Sequence, residues 1–302
     1  MNNIRSIIAK HKRFDKLFVL LGLLALMVGL VTLVALIMNL ALDGTTRLSW
    51  VFFSSFPSRF AEKAGILSAW VGTTLVMFVT AATAIPLGVA AGIYLEEYAA
   101  KNRLTDLIEL NITTLAGVPS IIFGLMALGL FVYKFHLGQS VLTAGLTLTL
   151  LVLPVVITAT RESIRAIPVS IREASYAVGA TKWQTVQNHV LPYSIGGILT
   201  GIIISLSRAI GESSPLVTIG ALTYIAFLPD SPVKSSFPFI SFDWLMSPFT
   251  VMPIQMFNWV SRPQADFHLN AAAAGLVLLA MTLTMNGVAI YFRYRFRKRI
   301  KW

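Results

Sequence analysis

The stretch Leu17-Phe-Val-Leu-Leu-Gly-Leu-Leu-Ala-Leu-Met-Val-Gly-Leu-Val-Thr-Leu-Val-Ala-Leu-Ile-Met-Asn-Leu-Ala-Leu42 decides the fold. It contains no charged side chain and, wound as a helix, is long enough to cross a hydrocarbon core of about 30 Å. Working outward, five more such blocks follow, at about Ile66 to Leu95, Ile112 to Tyr133, Val141 to Thr160, Ile195 to Leu228 and Leu269 to Phe292, separated by polar segments. Backbone groups in lipid find no water to bond, so blocks of this length are expected to be helices. Barrel strands would be about half as long and would alternate apolar with polar residues. The expected fold is an all-α polytopic membrane protein of about six transmembrane helices.

Composition agrees: 56% of the 302 residues are hydrophobic and 12% are charged, with a mean hydropathy of +0.76. A water-soluble domain has no interior large enough for that apolar surface. The net charge of +11 is concentrated in short flanks of the spans: 17 of the 24 basic residues fall in the N-terminal tail, the second and fourth loops and the C-terminal tail. Six lie on the other side (Arg47, Arg59, Lys63, Lys134, Lys234 and Arg262), and Arg208 lies inside a span. By the positive-inside rule both termini are expected in the cytoplasm. Membrane insertion and anionic headgroups account for this charge, so no nucleic-acid partner is expected. The first block is far longer than a signal-peptide core and is expected to remain as an anchor.

Cysteine is absent, and the four histidines (His11, His136, His189 and His268) stand singly, so no disulfide, thiol nucleophile or metal-ligand spacing is present. No G-x-x-x-x-G-K-[ST] occurs, so any ATP energy has to enter through a different chain. No cofactor is expected on this one.

The loop between the fourth and fifth blocks reads Arg161-Glu-Ser-Ile-Arg-Ala-Ile-Pro168, then Arg172-Glu-Ala-Ser-Tyr-Ala-Val-Gly179, and closes on Leu191-Pro192. Pro168 and Ser170 suit a helix start, with Glu173 expected in the first turn and Ala174, Ala177 and Val178 forming an apolar stripe that ends at Gly179. A second short helix is expected to lead to Leu191-Pro192. Two helices joined at a glycine make a rigid knob able to carry force from a soluble partner. A helix lying on the lipid surface has the same composition.

Glu173-Ala174-Ser175, Gly179 and Leu191-Pro192 resemble the EAA loop of the permeases of ABC importers, with Ser175 in place of the usual second alanine and His189 in place of an aliphatic residue. That resemblance implies a MetI-like bundle and docking on an ABC ATPase subunit dimer, with Arg172, Glu173, Ala174, Ser175, Gly179, Leu191 and Pro192 in the coupling surface. Gly65-Ile66-Leu67, Pro86-Leu87-Gly88, Gly92 to Tyr98, Gly117 to Gly124 and Arg208-Ala-Ile-Gly-Glu212-Ser-Ser-Pro215-Leu216 are similar to the phosphate-specific branch. They resemble its PstA-type more than its PstC-type subunit. The implied function is a permease subunit of an ATP-driven importer of inorganic phosphate, in the inner membrane. Its implied partners are a second, PstC-type permease and a periplasmic or extracellular phosphate-binding protein, and ATP is bound by the ATPase. The implied organisation is a cytoplasmic tail (1–16), a permease domain (17–292) with its coupling loop (161–193) and outer loop (229–268), and a basic tail (293–302).

Arg208 and Glu212 stand out without any resemblance, because ionisable side chains inside an apolar span are costly and should face the bundle interior or a watery cavity. Four residues apart, they share one helix face and can pair. Arg208 offers a planar donor fork to a phosphate anion, with Glu212 as its exchangeable counter-ion. A purely structural ion pair locking two helices explains the same residues. Gly211, Ser213, Ser214 and Pro215 interrupt the helix beside the pair, and broken helices at membrane depth line cavities; Ser213 and Ser214 therefore join Arg208 and Glu212 as candidate pathway residues. The Pro-, Phe- and Trp-rich segment from Pro229 to His268 suggests a short interfacial helix, where an aromatic belt or a docking surface fits equally. Competing readings are a PstC-type subunit, a permease for another oxyanion, and an ion-coupled carrier acting alone. The last should carry several intramembrane acids or inverted repeats, which the sequence does not display.

Overall fold

The computed structural model describes residues 2–232, 239 and 241–297, so Lys234 and the last residues of the basic tail lie outside the described residues. Helix α1 (Asn2–Gly44) joins the basic tail and the first apolar block in one rod. Helix α2 (Leu67–Ile93) continues into a wide turn at Tyr94–Tyr98. Next come α3 (Arg103–Leu115), α4 (Ser120–Ala127, continuing as a wide turn over Leu128–Lys134), α5 (Val141–Arg165) and α6 (Val169–Ala177). Helix α7 is continuous over Lys182–Ile210. It is followed by α8 (Ser214–Thr218), α9 (Met252–Val260) and α10 (Ala265–Arg297). Five of these helical stretches are long and apolar enough to cross a membrane, and α3 with α4 makes a sixth candidate.

Helix α5 is the centre of the bundle, held between α2 and α7. Both contacts are made close by glycines one turn apart. Gly88 and Gly92 of α2 lie against Val156 and Thr160, and Gly197 and Gly201 of α7 lie against Ser163 and Ala159. Small residues at this spacing let helix backbones approach, which matters in lipid because burying apolar side chains there gains little over contact with acyl chains. The resulting core includes Val76, Leu148, Val152, Val156, Ile202 and Leu216. Helix α1 stands outside it: nothing along its apolar window is buried, and its contact with the bundle is made at the Gly44 end against α10.

Two expectations change. The third apolar block is not one helix, because α3 and α4 meet at 110°. Pro119 lacks an N–H and disfavours helical geometry at Val118, so the chain turns through Gly117 and restarts at Ser120. The fifth block, read to Leu228, is helical only to Ile210 before the break and the short α8. Hydropathy ran on because Leu216 of α8, and Ile219 and Ile225 in the irregular backbone after it, are buried against protein. In the 229–268 segment the expected short helix exists as α9, with Phe257 and Val260 exposed and its other face packed on the bundle. Met252, Ile254, Gln255 and Trp259 are buried, and the Met252 N–H donates to Thr73 Oγ1 of α2 at 2.8 Å.

Candidate functional site

The loop end of the bundle is built from helix-terminus chemistry. Pro168, with its φ fixed, opens α6 at Val169, so Glu173 falls in the second turn and not the first. Helix α6 ends on Gly179 at φ +83. The Ala180 N–H bonds Ser175 O and the Gly179 N–H bonds Tyr176 O, the paired closure that requires a left-handed residue and therefore favours glycine. Thr181 then caps α7 in a reciprocal box with Gln184. The expected knob of two helices about a glycine is present.

Its second helix, however, does not stop at Leu191-Pro192. A proline inside a helix clashes with the carbonyl four residues back, and here the ladder widens over Val186–Val190, with Leu191 N bonding Val186 O, so α7 carries Pro192 and runs straight into the span.

The knob has two faces. Glu173, Ala174, Ala177 and Val178 are exposed, Val178 at 85%. The opposite face is tied down. Ser175, buried, shares a 2.9 Å hydrogen bond with Thr185 of α7. Arg172 turns inward and donates to Glu97 Oε1 from Nε (3.0 Å) and Nη2 (2.7 Å), to Ile167 O (2.9 Å) and to Ile164 O (3.1 Å). Sequence reading missed the rest of this cluster. Glu96 receives two bonds from Arg165, at 3.1 and 3.0 Å, and Arg161 lies between Glu96 and Glu109. The available signal was the Glu96-Glu97 pair together with Arg161 and Arg165 one helical turn apart.

The helix break lies deeper in the bundle. The last turn of α7 tightens, with Gly211 N on Arg208 O and Glu212 N on Ala209 O, and Ser214-Pro215 starts α8 with a proline where no N–H is needed. Arg208 Nε and Glu212 Oε1 are 3.5 Å apart, with side chains 43% and 19% exposed. Glu212 borders a narrow crevice with Thr73, Val76 and Met77 of α2 and Leu148 of α5, while Arg208 opens outward. Ser214 is exposed and Ser213 half-buried beside them. Helix α8 packs on α4 at Gly124, where an added Cβ would run into Pro215 and Thr218. The fold thus brings the 117–124 and 208–216 stretches together. The residues expected to couple to an ATPase lie at the loop end, away from this break.

The bundle thus carries an exposed two-helix knob at one end and an ion pair at a broken span. The chain belongs to the family described as binding-protein-dependent transport system inner membrane component, whose model matches residues 84–302. It is accordingly a multi-pass protein of the plasma membrane. It is 30% identical to the probable ABC transporter permease protein YqgI of Bacillus subtilis, over 91% of this chain and 94% of that protein. It is 31% identical to the phosphate transport system permease protein PstA 1 of Mycobacterium tuberculosis, over 82% of this chain and 77% of that protein. Among solved structures, inward-facing MetNI methionine ABC transporter shares the fold at a TM-score of 0.52 and 16% identity, over 76% of this chain and 92% of that one.

Proposed function

We propose that the chain is the PstA-type permease subunit of an ATP-driven importer of inorganic phosphate. It forms the pathway with a second, PstC-type permease, receives phosphate from a soluble phosphate-binding protein and is driven by an ATPase dimer, which binds the ATP. The exposed face of the knob (Glu173, Ala174, Ala177, Val178) is the docking surface, which places residues 161–193 in the cytoplasm. Relatives named as phosphate permeases, 28–31% identical over most of the chain, support the substrate.

The observation that carries the pathway is Arg208. An ionised side chain within a hydrocarbon core is costly, yet this guanidinium is 43% exposed and, among the described residues, has one long carboxylate contact. Facing lipid it would be penalised, whereas facing a watery path between two permeases it is an open donor fork for an oxyanion. Glu212 holds it between passages, and Ser213 and Ser214 supply hydroxyls at the break. Purification with the ATPase, the second permease and the binding protein, followed by labelled phosphate uptake into vesicles, tests this. Uptake that stops on ATP depletion and resists excess sulfate is expected. Ion-gradient-driven phosphate uptake by this chain alone would overturn it.

A further inference from the structure

The docking helix α6 reaches the Arg208–Glu212 break along the chain through α7, which is continuous over Lys182–Ile210, and the inward side of the knob supplies a second connection. Ser175–Thr185 ties α6 to α7. The charged tie goes elsewhere: the single guanidinium of Arg172 bonds both the last-turn region of α5, through Ile164 O and Ile167 O, and Glu97 at the end of α2. Glu97 is 6% exposed, so this contact is shielded from solvent and from salt. Glu97 sits on the wide turn Tyr94–Tyr98, a departure from the α-helical ladder of the kind that often marks functional positions in helices. From that turn α2 runs back through the bundle to Thr73, Val76 and Met77, which line the crevice bordered by Glu212. One continuous helix therefore touches the knob at one end and the broken span in its other half.

We propose that Glu97 is a positioning residue for transport: through Arg172 it couples displacement of the docking helix α6 to α2, and through α2 to the break that carries Arg208 and Glu212. Neighbouring Glu96, on the same turn, and Glu109 hold Arg165 and Arg161 of α5, which fastens the end of α2 to α5 so that the two close-packed helices carry the displacement together. Glu97 touches neither phosphate nor the ATPase; it acts on both through helices. This rests on the phosphate-importer reading above.

The test uses the assembled transporter in proteoliposomes and reads three quantities: ATPase subunit recovered per permease, ATP hydrolysed, and phosphate moved per ATP. Glu97→Gln keeps the shape and one acceptor oxygen and removes the charge. The expected result is wild-type recovery of the ATPase subunit with phosphate moved per ATP reduced at least fivefold. The double variant Glu97→Gln/Arg172→Gln leaves no buried unpaired charge, so it serves where the single variant does not accumulate. It is expected to be no worse coupled than the single variant, because two groups acting as one contact are lost only once. A wild-type ratio of phosphate to ATP in either variant overturns the proposal, as does loss of the ATPase subunit from Glu97→Gln, which would put Glu97 in the docking surface. If the wild-type chain itself recovers no ATPase or moves no phosphate, it is the importer reading that fails.

Discussion

Arg172 and Arg208 both belong to the fourth-to-fifth-span region of the chain, and they are treated in opposite ways. Arg172 donates four hydrogen bonds within the protein, to one carboxylate and two backbone carbonyls. Among the described residues Arg208 has a single ion-pair contact, at 3.5 Å with Glu212, and keeps 43% of its side chain exposed. A guanidinium has five N–H donors; at the loop end the fold consumes most of them, and at the break it leaves most of them free. The loop end is therefore fastened in place, whereas the break keeps donors unspent, as the proposed pathway role requires.

If that contrast is right, the largest effect of any substitution belongs to the open arginine. Arg208→Ala should cut phosphate uptake about 10- to 100-fold, the loss of hydrogen bonds to a charged group, with the assembly still recovered intact. Uptake at the wild-type rate would remove Arg208 from the pathway. Next comes the wall of the break. Gly124→Ala forces a methyl against Pro215 and Thr218, and such overpacking typically costs about 1–3 kcal/mol. A lowered unfolding temperature of the detergent-solubilised protein should accompany slower transport, and an unchanged temperature would mean that α8 yields freely. At the loop end, Gly179→Val places a β-branched residue at φ +83, a left-handed conformation costing about 1–2 kcal/mol. The ATPase should then hydrolyse ATP without proportionate transport, whereas Gly179→Asn should be tolerated better. Normal coupling in the valine variant would break the claim that the knob works by holding shape.

The membrane class and most of the spans are readable from hydropathy alone, because a 26-residue run such as Leu17–Leu42 admits one solution in lipid. Hydropathy reports burial in something apolar and not helicity, which is why Ile195 to Leu228 and Ile112 to Tyr133 looked continuous and are not. Pro192 misled in the other direction: a proline that should end a helix is carried through by the widened turn at Val186–Val190. Gly179 was read correctly since its demand is local, a left-handed residue between two helices. Glu97 was not, because its partner is 75 residues away and only the packed bundle puts the two side chains together. Arg208 and Glu212 were visible as misfits in an apolar helix, but that one of them stays open while the other turns toward α2 is a tertiary fact.

The smallest effect tests how much of the loop end's rigidity is local. Ser175 stands where the resemblance to other importer permeases suggests alanine, and its hydroxyl meets Thr185 Oγ1 at 2.9 Å inside the knob. Ser175→Ala removes that bond but strands little, since Thr185 Oγ1 also donates to Thr181 O at 3.1 Å within its own helix. A net hydrogen bond is worth about 0.5–1.5 kcal/mol, and the surviving partner places this one at the lower end. Thermal unfolding should fall by only a degree or two, with phosphate moved per ATP essentially unchanged, because the charged tie through Arg172 remains. A large loss of coupling in Ser175→Ala would mean that motion leaves the knob through α7 and not through α2. The two arginines would then have to be compared along a different helix.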